Sequence, residues 1–183
     1  MISFDKKLIF IHAGKCGGST IKQEFVDQSR KHKFDILHRR GHKKLEFFLN
    51  LVAGKNLNID DFFKFSVVRN PWDRTVSWYY HWHMIHQPVG KKEPFGVWLK
   101  RVGKNINFPD LSQMDYVIKL EEIDAGMAQV FNKLEIPQQK VKHHITYDTG
   151  RPTKDYKEYY EPETKQLVYD RNRDVIKKFN YTF

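Results

Sequence analysis

Short apolar runs alternate with stretches whose apolar positions recur about every 3.6 residues, a pattern that predicts strands separated by helices. Residues 8–11, Leu-Ile-Phe-Ile, are continuously apolar, as a strand buried on both faces requires. Residues 19–31 follow as a helix, residues 34–37 read as a short second strand, and residues 43–52 have helical spacing through Leu45, Phe48, Leu49 and Val52. Residues 62–68 form the next strong strand. Asn70 and Pro71 then supply an N-cap and a first helical position for a helix through residues 72–86. Residues 87–94, with two prolines, a glycine and two lysines, read as a surface loop. A short helix over 95–102, an irregular stretch over 105–113, a strand over 116–120 and a helix over about 123–134 come next, ended by Pro137. Residues 143–156 form a polar, basic loop, and residues 162–179 a last helix with Leu167, Val168, Val175, Ile176 and Phe179 as its apolar positions. There is no internal repeat, low-complexity linker or break in composition, which predicts one domain over residues 1–183.

Composition adds bounds to this pattern. With 183 residues, 40% of them hydrophobic and 15% aromatic, the chain suffices for one well-buried core. Its 32 lysines and arginines against 22 acidic residues leave +10, which favours polyanions, nucleotides or acidic glycans without distinguishing among them. The densest basic stretch runs from Arg30 to Lys44 and interleaves His32, His38 and His42. Cys16 is the only cysteine, so no intrachain disulfide forms. No stretch reaches 18 apolar residues and the N-terminus lacks a signal-peptide pattern, so the expectation is a soluble, cytoplasmic protein with no transmembrane segment.

Candidate chemistry concentrates at two junctions. Between the first strand and its helix, Gly14, Lys15, Cys16, Gly17, Gly18, Ser19 and Thr20 form a glycine turn with a lysine and two hydroxyls. A helix start after such a turn presents unpaired N–H groups and roughly half a positive charge, which suits a phosphate. Lys15 adds a full charge. Phosphate accounts for this turn better than a catalytic thiol at Cys16 does. The second junction is Arg69-Asn70-Pro71-Trp72-Asp73-Arg74, followed by Ser77 and Tyr80. It puts an arginine at the carboxyl end of a strand beside a new helix, where ligands of open parallel sheets bind. Ser77 shares a helical face with Arg74, which reads equally as a ligand contact or as an exposed helix residue or ion-pair partner, while Trp72, Trp78 and Tyr79 read as core or rim packing. A ligand with two phosphate groups explains both junctions.

Together these motifs resemble the PAPS-dependent sulfotransferases, in particular their carbohydrate sulfotransferase branch; PAPS is 3'-phosphoadenosine 5'-phosphosulfate. Lys15 to Thr20 resembles the family's 5'-phosphosulfate loop, and Arg69-Asn70-Pro71 with Arg74, Ser77 and Tyr80 resembles its 3'-phosphate segment. The similarity continues through Lys119-Leu120-Glu121 and through Tyr159 to Tyr181. The resemblance implies an α/β three-layer sandwich with a central, mainly parallel sheet, the P-loop nucleotide-kinase-like sulfotransferase fold. It implies PAPS as sulfonate donor, with Gly17, Gly18, Ser19 and Thr20 on the 5'-phosphate and Arg69 and Ser77 on the 3'-phosphate. Residues 144–154 stand where the family has its adenine-proximal loop, with Arg151 and Lys154 as added phosphate contacts.

The transfer itself needs positive charge at the leaving phosphate, a task that suits Lys15, and a group that removes the acceptor proton. His42 is the first candidate base, His38 the second and Glu46 the third, because related carbohydrate enzymes place a histidine in this region. The acceptor implied is a hydroxyl on a glycan or glycoconjugate. No metal is required: His83 and His86 lie three residues apart without an acidic or cysteine partner. Oligomeric state is not legible.

Two other readings stand beside this one. A P-loop kinase requires G-x-x-x-x-G-K-S/T, whereas here Lys15 precedes the glycine pair and the strand over 62–68 ends in Arg69 instead of a metal-binding aspartate. A nucleic-acid-binding module would suit +10 and the aromatics but does not need a strand-turn-helix phosphate site, and nucleic acid is not the expected partner.

Overall fold

The structure is a computed structural model that describes residues 1–37, 43–86, 92–102, 106–137, 151–153 and 155–183. Its contacts divide the chain into two compact units, Met1–Val68 with Phe108–Ile145, and Arg69–Asn107 with Thr146–Phe183.

The first unit is built on a four-stranded sheet of β1 (Ile2–Ser3), β2 (Leu8–Ile11), β3 (Phe63–Val68) and β4 (Tyr116–Lys119), in that spatial order. β1 runs antiparallel to β2, while β2–β3 and β3–β4 are parallel, with Ile11 opposite Ser66 and Val68 opposite Lys119. The expected mainly parallel sheet is therefore present. β2 shows why its sequence is apolar throughout. Leu8 and Phe10 enter the core formed with Ile21 and Phe25 of α1 (Gly18–His32) and Met127, Val130 and Phe131 of α5 (Ile123–Lys133). Ile9 and Ile11 point the other way, onto Phe48 and Val52 of α2 (Leu45–Ala53) and onto Phe62. Side chains of a strand alternate between faces, so helices on both sides demand apolar residues at every position. Helix, sheet and helix make the three layers of this unit.

Two expectations change in detail. Residues 34–37 do not form a strand; a single antiparallel bridge joins Leu37 to Ile2. Asp35 is the reason, because its carboxylate accepts from Ser3 Oγ and from the backbone N–H groups of Phe4 and Asp5 at 2.8–3.1 Å, replacing a ladder by side-chain bonds. The strand β1 supplies the pairing instead, and two residues are too few to show in a periodic pattern.

The second unit is helical and aromatic. It contains α3 (Pro71–His86), α4 (Phe95–Arg101), α6 (Pro162–Arg171) and α7 (Arg173–Lys178), with a short 3-10 turn at Tyr156–Tyr159. Trp72, Val76, Tyr79, Tyr80, Phe95, Trp98, Leu99, Val168 and Ile176 form its core. The single last helix expected over 162–179 is two helices. Asn172 breaks it: its side-chain amide donates to the Val168 carbonyl at 2.9 Å and competes for the helical acceptor. The apolar positions keep nearly the same spacing across the break, which hides it from the sequence.

Candidate active site

The first candidate region follows β2. The chain passes from Ile11 through His12 to Gly17, and α1 begins at Gly18. Gly17 is the N-cap, with φ 72°, in the left-handed region that favours glycine, and a Cβ there would stand 2.5 Å from Leu120 Cδ1. Gly18 is required for a different reason: a Cβ on it would overlap the His12 ring. That ring stacks on Phe10 with centroids 6.0 Å apart. The glycine pair therefore lets the start of α1 close onto His12 and Leu120. A glycine N-cap brings no side chain to the first N–H groups, and the first turn of α1 carries no acidic residue, so the positive end of the helix is not neutralised from within. Arg30, Lys31 and His32 in the last turn complement the opposite end.

Within this turn Lys15 is half-buried and adopts φ 62°, unusual for a residue with a side chain. Ser19 is exposed and Thr20 buried. Cys16 is buried at 1% exposure and its thiol meets the Gly14 carbonyl at 3.6 Å, so it fills the core.

The second region opens directly after β3. Asn70 caps α3: its side-chain oxygen accepts from the backbone N–H of Trp72 at 3.0 Å, while its amide donates to the Thr182 carbonyl at 2.9 Å. Pro71 follows at the first helical position, as the sequence predicts. Arg69 donates from Nε and Nη2 to Oδ2 of Asp73 at 2.8 and 2.6 Å. The other oxygen of Asp73 accepts from Nη1 of Arg151 at 2.7 Å. Two guanidinium groups, 18% and 16% exposed, thus meet at one carboxylate that is 22% exposed, although Arg151 lies 78 residues along the chain from Asp73. Arg69 and Arg151, both expected at a phosphate, are brought together. The guanidinium of Arg151 also lies 5.7 Å from the centre of the Tyr159 ring, whose hydroxyl accepts from Tyr80 at 3.2 Å. Burial, reinforced by that bond to Tyr159, pushes Tyr80 well above the ordinary phenol range.

Other candidates fall elsewhere. Ser77 is half-buried on α3. Arg74, left open between ligand and structure, is 3% exposed and donates to the Asn107 carbonyl at 3.0 Å. His83 is fully buried against Tyr79 and donates from Nδ1 to the Tyr79 carbonyl at 2.9 Å, a core residue. Glu46 is exposed in the first turn of α2. His38, His42 and Lys154 lie outside the described residues. Among the described residues no group of three histidine, cysteine or acidic side chains is arranged to hold a metal, and no helix is long and apolar enough to cross a membrane. Sequence reasoning missed His12 and Asp73. The signals were present: His12 follows the strand immediately, and Asp73 stands four residues after Arg69, one helical turn away.

Comparison with known proteins bears on what these regions do. Residues 1–114 match the model of the Sulfotransferase family. The fold is similar to that of mouse sulfotransferase SULT7A1, whose crystal structure is complexed with PAP; the TM-score is 0.58 at 13% identity, over 96% of this chain and 88% of the other. No curated protein matches the sequence.

Proposed function

The chain belongs to the Sulfotransferase family, and from that membership we propose that residues 1–183 form one catalytic domain that moves a sulfonate group from PAPS to a hydroxyl of a carbohydrate. The observation that carries the donor assignment is the start of α1, where a glycine N-cap, a first turn without acidic residues and Lys15 offer an anion the positive end of a helix. The mouse protein of similar fold is complexed with PAP, which supports a donor of the same chemistry.

Backbone N–H groups of residues 17–20 and the hydroxyls of Ser19 and Thr20 hold the 5'-phosphate in this reading, and Arg69, Ser77 and Arg151 hold the 3'-phosphate. The donor supplies the sulfonate and a phosphate leaving group. A new bond forms between the acceptor oxygen and sulfur as the bond from sulfur to the 5'-phosphate oxygen breaks, and the electron pair stays on that oxygen. Lys15 stabilises the charge gathering there, and the fixed N–H groups do so without reorganising water. The acceptor proton passes to His42, an imidazole that is mostly neutral near pH 7. The basic side chains of Arg39 to Lys44 favour an acidic glycan.

A transfer assay with PAPS across glycans, simple alcohols and phenols, in the presence of a chelator, tests the reading. Sulfonation of a glycan is the expected result. Transfer confined to phenols overturns the carbohydrate assignment. Absence of all transfer, together with no binding of 3',5'-bisphosphoadenosine, overturns the donor assignment. A pH–rate profile left unchanged by His42→Ala removes His42 as the base.

A further inference from the structure

Two guanidinium groups less than one-fifth exposed, drawn from the two chain segments of the second unit, repel each other unless a counter-charge lies between them. Asp73 is that counter-charge, and its geometry is more specific than neutralisation. One carboxylate oxygen takes the Nε and Nη2 edge of Arg69, and the other takes Nη1 of Arg151. A guanidinium is planar, so a two-point contact fixes the plane as well as the position of Arg69. The backbone that carries the carboxylate is itself fixed, because the Asn70 side chain that caps α3 accepts from the backbone N–H of Trp72 and, at 3.4 Å, of Asp73. On its other side Arg151 is steadied by the Tyr159 ring. Asp73 offsets one of the two positive charges.

We infer that Asp73 is a positioning residue that aligns Arg69 and Arg151 as a single cradle for a phosphate, and so sets selectivity for a nucleotide that carries a 3'-phosphate. The inference rests on the donor reading above. It assigns Asp73 no contact with the ligand. Replacing it by asparagine keeps shape and one acceptor, but turns an amide N–H₂ toward one of the arginines and lets that guanidinium leave its place.

The test is calorimetric, with 3',5'-bisphosphoadenosine and adenosine 5'-phosphate titrated in parallel into the full chain. Wild type is expected to prefer the bisphosphate. In Asp73→Asn the bisphosphate should weaken on the order of 10- to 100-fold, the scale of a misplaced binding group, with adenosine 5'-phosphate changed less than threefold. In turnover, KM for the donor should rise while kcat at saturating donor stays within about threefold, and Asp73→Glu should recover part of the preference. If wild type does not distinguish the two nucleotides, the donor reading falls and this inference with it. If wild type distinguishes them and Asp73→Asn does so equally, or weakens both alike as a purely structural residue would, the inference alone falls. Should Asp73→Asn not fold, Asp73→Ser asks the same question, and unchanged selectivity in that variant also overturns it.

Discussion

At the scale of single residues, the turn after β2 separates what is required for folding from what is required for chemistry. Gly18 belongs to the first kind. Gly18→Ala forces the His12 ring out of its stack on Phe10 and should destabilise by about 1–3 kcal/mol, the usual range for overpacking. His12→Ala in the same chain should recover much of that loss, a coupling readable from denaturant midpoints of the two single variants and the double one. In the proposed transfer Lys15 belongs to the second kind. Lys15→Ala should lower turnover on the order of 10² to 10³, the scale for one electrostatic donor at a developing charge, with the thermal midpoint close to wild type. Turnover near the wild-type value would remove Lys15 from the leaving-group role. The sequence revealed the glycines and assigned them to a turn and a phosphate but not to close packing, because the ring that presses on Gly18 comes from a residue six positions earlier and only the folded turn brings the two together. Asp73 escaped notice for a related reason: a helical spacing from Arg69 is visible in a sequence, but a second partner 78 residues away is not.

At the scale of elements, burial on both faces made β2 readable as an apolar run, β3 was readable as a mainly apolar stretch interrupted by Lys64 and Ser66, and caps made α3 readable from Asn70-Pro71. Elements held by side-chain bonds were harder to read. Residues 34–37 have strand composition, yet Asp35 satisfies the neighbouring backbone itself, and Asn172 divides the last helix without disturbing its apolar spacing. The packing of α5 on β4 offers a direct check. Gly126 lies against Ile118, and a Cβ would overlap the isoleucine side chain. Gly126→Ala gains roughly 1 kcal/mol in helix propensity, but overpacking at a fully formed sheet face costs about 1–3 kcal/mol. The expected net effect is a lower thermal midpoint, and a stabilised variant would mean that α5 shifts freely over β4.

At the scale of the whole molecule, net charge acts on capture of the proposed anionic donor before any single contact forms. The +10 balance attracts polyanions over a distance set by ionic strength, about 30 Å at 0.01 M and about 3 Å at 1 M. kcat/KM for the donor should therefore fall steeply across that range, while kcat at saturating donor changes little; a flat kcat/KM would mean that local contacts, not the field of the chain, govern capture. One small feature has a consequence at the same scale. The strand β1 is two residues long, yet it pairs with β2 along one side and, through both the N–H and C=O of Ile2, with Leu37 on the other. Without it the edge of β2 would be a bare Leu-Ile-Phe-Ile ladder, uncharged and free of proline, which is the composition from which fibrils template. Ile2 and Ser3 thereby guard the chain against self-association, a task independent of whatever the neighbouring turn binds.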